Sequence, residues 1–203
     1  MDKFILHPTN PNKREIAMIA EKLEAGAIGI IPTDSVYAVA CLMTNKEGIE
    51  RVLKVTGKTE KKAKLSLLCK DLKAVADHTL PYDNHIFKTM KRYTPGPYTF
   101  ILNANNSVTK YFKNNKKEIG VRIPASEILQ EILNHVNVPL ISTSVVIEDQ
   151  EQESTYMDKI EKTYEYLTDF IIDGQAEVEG ETTVLDCTSG DIEVVREGIG
   201  QID

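Results

Sequence analysis

The stretch Ala27-Ile28-Gly29-Ile30-Ile31-Pro32-Thr33-Asp34-Ser35-Val36-Tyr37 passes from an apolar run into a loop of hydroxyls, a carboxylate and a phenol. A short apolar run without polar alternation fits a strand buried on both faces. Polar loops at the ends of such strands are where α/β proteins usually hold a ligand. The same residues also fit a plain capped turn, since Asp and Ser bond their own backbone. Upstream, Asn12 followed by Glu15 reads as a variant capping box. Ile16, Ile19, Ala20 and Leu23 then share one helical face, and Gly26 is a fitting stop.

The alternation continues downstream. A helix is predicted over Lys46–Val55 with Ile49, Val52 and Leu53 inward, then a lysine-rich loop and a strand over Leu65–Cys69. Asp71 and Asp83 are candidate caps of two short helices. Tyr93-Thr94-Pro95-Gly96-Pro97 is a turn, followed by strands over Tyr98–Leu102 and Ile119–Ile123. Ser126 caps a helix that turns Ile128, Leu129, Ile132 and Leu133 inward. Pro139–Ile141 is a short strand running into Ser142-Thr143-Ser144, and Ser154 opens a helix through Leu167. Thr183–Cys187 and Glu193–Arg196 close the chain as strands, paired about Ser189-Gly190. This pattern predicts one α/β domain over residues 1–203, a twisted mixed sheet flanked by helices. Polar patches at Thr33–Ser35, Ser142–Ser144 and Arg196–Gly198 each follow a strand, and pairing in one sheet would bring them together.

The 203 residues suit a single domain, and 41% hydrophobic with 27% charged residues is ordinary for a globular chain. No apolar run approaches the roughly 20 residues of a membrane helix, and no signal peptide is visible, so the expected location is cytoplasmic with no membrane partner. Cys41, Cys69 and Cys187 form no Cys-x-x-Cys pair and sit among apolar residues, which disfavours a disulfide framework or a zinc site. The four histidines show no ligand spacing. A net charge of −7 argues against a general nucleic-acid coat. The charge is uneven, however: Lys54 to Lys73 holds seven lysines against Glu60 and Asp71. A local field of that sign can hold an anion. Gly57-Lys58-Thr59 resembles the end of a P-loop, but Val52 stands where its first glycine belongs.

Pro32-Thr33-Asp34-Ser35-Val36-Tyr37-Ala38 resembles the Pro-Thr-Glu/Asp-Thr-Val-Tyr-Gly signature of the YrdC/YciO-like threonylcarbamoyl-AMP synthase superfamily. Five further matches follow in order: Thr94-Pro95-Gly96-Pro97-Tyr98-Thr99, Gly120-Val121-Arg122-Ile123-Pro124, Ser142-Thr143-Ser144, Thr182-Thr183-Val184-Leu185-Asp186 and Arg196-Glu197-Gly198. The synthases carry Lys-x-Arg and Ser-x-Asn around the phosphates. By spacing these fall on Thr56-Gly57-Lys58 and Ser144-Val145-Val146, so only Ser144 stands unchanged. Ala38 replaces the usual glycine. These departures resemble the YciO branch.

The resemblance implies a YrdC-like fold with a concave cationic cleft, and a reaction joining L-threonine, bicarbonate and ATP with magnesium to give threonylcarbamoyl-AMP for tRNA modification. It implies that Thr33, Ser35 and Arg122 hold the amino acid, and that Thr143 and Thr182 line the cleft. Lys58, Ser144 and Arg196 would face the phosphates, helped by Lys54 and Lys64, with Lys58 and Ser144 as the catalytic pair. Such chemistry needs anions held together and leaving charge neutralised rather than a nucleophilic triad. Arg-to-Lys and Asn-to-Val replacements remove oriented donors, which favours binding over turnover. The alternative is a nucleotide- or double-stranded-RNA-binding protein of the YciO type without synthase activity. The oligomeric state stays open.

Overall fold

The computed structural model describes residues 1–57, 64–112, 117–147, 155–174 and 180–203. Ten strands join in one mixed sheet, in the order β1-β8-β2-β3-β7-β4-β6-β5-β9-β10. They are β1 (Asp2–Ile5), β2 (Gly29–Ile31), β3 (Ala38–Leu42), β4 (Ser66–Leu68), β5 (Tyr98–Asn103), β6 (Glu118–Arg122), β7 (Leu140–Ser144), β8 (Phe170–Asp173), β9 (Thr183–Asp186) and β10 (Glu193–Arg196). The helices are α1 (Lys13–Glu24), α2 (Lys46–Val55), α3 (Leu72–His78), α4 (Asn84–Tyr93), α5 (Asn106–Thr109), α6 (Glu127–His135) and α7 (Tyr156–Tyr164). No described helix is long and apolar enough to cross a membrane.

Helix ends follow their caps. Asn12 Oδ1 accepts from the N–H groups of Arg14 and Glu15 at the start of α1, and Asp71 accepts from Ala74 at α3. Asp83 stands at the start of α4 without a side-chain capping bond. The last helix opens at Thr155, which forms a reciprocal capping box with Asp158. Ser154, the expected cap, lies outside the described residues.

Strand side chains alternate between faces, and each face buries a separate core. On one face Val39, Cys41, Leu67, Phe100, Val121 and Ile141 pack with Ile49 and Val52 of α2, Ile86 and Met90 of α4, and Ile160 and Tyr164 of α7. On the other, Ala40, Leu42, Leu68, Leu140, Phe170 and Ile172 pack under α1 and α6. Those two helices contribute the inward faces read from the sequence, Ile16, Ile19, Ala20 and Leu23, and Ile128, Leu129, Ile132 and Leu133. They cover only the β1-to-β4 part of their face. Across β6, β5, β9 and β10 the same face is left open, and that opening is the cleft described next.

Candidate functional site

Register places the cleft residues. Leu42, Leu140, Leu68 and Arg122 stand opposite one another across β3, β7, β4 and β6. Phe100 is opposite Val121, which sets Thr99 beside Arg122. Thr99 pairs with Val184 and Val184 with Arg196. One row of the sheet thus starts under the helices as leucine and continues beyond them as Arg122, Thr99, Val184 and Arg196. The adjacent row carries Ala40, Ser142, Ser66, Gly120 and Ile101. A Cβ at Gly120 would crowd this row, coming 2.7 Å from Ser66 Oγ and 3.0 Å from Thr99 Cγ2.

These rows floor a cleft of about 550 Å³, within the ~300–1,000 Å³ usual for small-molecule sites. Lys64, Arg122, Thr143, Ser144, Thr182 and Arg196 all line it. So do Glu118 and Glu181, so three cations face two carboxylates. The described lining does not show the expected strongly cationic cleft, and Lys58, the expected catalytic lysine, lies outside the described residues. Lys54 is exposed on the last turn of α2 and is not part of the lining.

Thr33 and Ser35 do not line the cleft either; Arg122 stands between them and it. Arg122 Nη2 donates to Asp34 Oδ1 at 2.6 Å, to Ser35 Oγ at 3.0 Å and to Thr33 Oγ1 at 3.4 Å. Thr33 Oγ1 also accepts from Ser35 N–H and donates to Val36 O. Asp34 does not merely cap its turn: its Oδ2 accepts from Ala125 N–H at 2.8 Å. The whole loop is a cradle for one guanidinium nitrogen. Arg122 Nε is buried with no hydrogen-bond partner among the described residues. Burial lowers the pKa of this guanidinium and Asp34 works against that, leaving it charged, as arginine's ordinary value is so high.

Arg196 is held differently. Its Nε and Nη2 donate to Thr182 O, Nη2 also to Thr182 Oγ1, and Nη1 to Glu181 Oε2. Thr182 Oγ1 lies 2.8 Å from Thr99 Oγ1. At two of the departures from the synthase pattern, Thr56 Oγ1 bonds back to Val52 O, and the Val146 side chain is exposed. Tyr164 Oη clasps the Val146 backbone, accepting from its N–H at 2.8 Å and donating to its O at 3.0 Å. Of the three polar patches, two line the cleft directly, and Thr33–Ser35 reaches it through Arg122. The partners of Asp34 are not legible in the sequence, because they lie 88 and 91 positions away, and no motif marks Glu181.

A ten-stranded mixed sheet with an open polar face and two arginines in one row defines an α/β protein built around a polar cleft. A family model described as Telomere recombination, for the Sua5, YciO and YrdC proteins, matches residues 21–198, and the chain belongs to that family. It is 34% identical to the uncharacterized protein YciO of Escherichia coli K12, over 98% of this chain and 96% of that one. The crystal structure of E. coli YciO superposes with a TM-score of 0.87, covering 99% and 98% of the two chains. A protein named putative threonylcarbamoyl-AMP synthase from Methanocaldococcus jannaschii is 26% identical over 92% of this chain and 87% of that one. Sua5 of P. abyssi, solved with L-threonine, shares the fold at a TM-score of 0.85 with 18% identity, covering 98% of this chain and 58% of that one.

Proposed function

We propose that this chain binds L-threonine and ATP in the cleft and, with bicarbonate, forms threonylcarbamoyl-AMP at a reduced rate. The observation that carries the reading is Arg122: a buried guanidinium with a cradle behind it, an unpartnered Nε, and a second arginine in the same row of the sheet. A guanidinium held this way is pre-oriented for a carboxylate. Threonine would lie at Arg122 and the phosphates toward Ser144, Lys64 and Arg196. The Sua5 structure with L-threonine supports the assignment through the shared fold.

In the reaction the threonine amine and bicarbonate give a carbamate and water. A carbamate oxygen attacks the α-phosphorus, and the bond to the β-phosphate oxygen breaks to release pyrophosphate. Magnesium would travel with ATP; among the described residues no group of three or more His, Cys, Asp or Glu could hold a metal ion. The chain's part is to hold the anions together and balance the charge that leaves. Thr56 and Val146 bring no donor side chain to the phosphates, since Thr56 is bonded to its own helix. That favours slow turnover, and at the limit a nucleotide-binding protein without synthase activity.

The test is pyrophosphate release by the purified protein with ATP, magnesium, bicarbonate and threonine, each omitted in turn. Release that requires all three substrates is the expected result. Release indifferent to threonine overturns the synthase reading, and ATP binding without release selects the non-catalytic one.

A further inference from the structure

Of the three cations lining the described cleft, Arg196 alone has every nitrogen engaged by its own chain. Two of them are held by Thr182, which leaves Nη1, and Nη1 meets the Glu181 carboxylate at 2.8 Å. The backbone brings this carboxylate into place. Ile199 N–H donates to Glu181 O, and Gly198 N–H donates to Thr183 Oγ1. Gly198 is packed so closely that a Cβ there would sit 2.3 Å from Glu181 O. The Arg196–Gly198 turn is thus clamped onto the segment that carries Glu181. The ion pair itself remains open to water, with Arg196 35% and Glu181 57% exposed. A pair this exposed is weak and can be displaced by a better anion.

We propose that Glu181 is a specificity-determining residue of the cleft. Its carboxylate occupies Arg196 Nη1 as an internal anion, so a phosphate group gains this cation only by displacing it. Arg122 also has an internal carboxylate, Asp34 at Nη2, but Asp34 does not line the cleft, so a ligand reaching Arg122 from the cleft need not displace it. Glu181 therefore weakens phosphate ligands and leaves carboxylate ligands untouched. The inference rests on the reading that phosphates bind at the Arg196 end.

The test compares the full-length wild type with Glu181→Gln and Glu118→Gln, the latter removing the cleft's other carboxylate. Inorganic pyrophosphate and L-threonine are titrated separately by calorimetry at low salt. Pyrophosphate binding is expected to tighten roughly two- to five-fold in Glu181→Gln, the range an exposed ion pair can supply. A clearly smaller change is expected in Glu118→Gln, and none in threonine affinity for either variant. Equal tightening in both variants, or a parallel change for threonine, overturns the proposal by reducing it to a general field. Wild-type binding with no gain in Glu181→Gln overturns it alone. Pyrophosphate binding to neither the wild type nor Glu181→Gln overturns both it and the placement of phosphates at Arg196.

Discussion

Arg122 Nη2 lies 2.6 Å from Asp34 Oδ1, and each side chain is only 7% exposed. Breaking a buried pair strands a charge, which costs about 3–5 kcal/mol. Asp34→Asn removes the counter-charge while keeping the shape. It should lower unfolding free energy by about that amount in urea titrations. A loss below about 1 kcal/mol would show that the pair does not hold the cleft together.

All three cysteines are free and buried. Burial pushes the Cys41 thiol up to about 12 against a smaller opposing effect of Arg51, and the Cys187 thiol up to about 11, with Asp186 adding to it. Burial raises Cys69 as well, reinforced by Asp71. Only thiolates react with disulfide reagents. At pH 8 the native protein should release well under one equivalent of chromophore from such a reagent, and the denatured protein three. Rapid labelling of one native thiol would place that cysteine at the surface.

Gly198 has no room for a side chain: a Cβ would lie 2.3 Å from Glu181 O and 2.4 Å from the Thr182 carbonyl carbon. The obstacle is backbone, which cannot swing away. Gly198→Ala should destabilise the fold by about 1–3 kcal/mol and weaken pyrophosphate binding, because Arg196 moves with the turn. Unchanged melting temperature and binding would contradict the packing.

Asp169 accepts from both Arg51 Nη1 and Nη2 and from Ile28 N–H. Burial acts to raise its pKa, but the Arg51 and Ile28 bonds outweigh it, and the value falls below that of a free aspartate. A carboxylate depressed on folding stabilises the native state above its unfolded pKa of about 3.9, and the benefit is lost as pH falls through the folded value. The difference in melting temperature between wild type and Asp169→Asn should be steady above about pH 5 and close below about pH 4. With the two side chains about 40% exposed, the gap is modest. A gap independent of pH would remove the ion pair from the account.

Six of the seven described helices were legible because their periods and caps are local: Asn12, Ser126 and the inward faces of α1 and α6 can be read from neighbouring residues, whereas the single turn of α5 was not predicted. Three strands were not. β1 is a short edge strand that begins Asp2-Lys3, with no run to mark it. β3 and β8 are short, Ala38–Leu42 buried throughout and Phe170–Asp173 nearly so, so neither alternates. Arg122 and Arg196 stood out as strand-end arginines in a recognisable pattern. What each one touches was not legible, since Asp34 and Ala125 or Glu181 and Arg196 meet only through the sheet. Thr33 and Ser35 look like ligand groups in sequence, yet stand behind Arg122 in space.

The strand order also governs how the site comes into being. β9 and β10 are made after every other strand, yet β9 pairs directly with β5. During synthesis the Arg122 half of the cleft has its parts once β7 has emerged, since β7 joins β3 and the Thr33–Ser35 loop to β4 and β6. Glu181, Thr182 and Arg196 come later, with β9 and β10. A growing chain therefore carries the Arg122 side of the cleft before it carries the Arg196 side. A complete cleft therefore reports that β9 has docked on β5 and carried β10 with it.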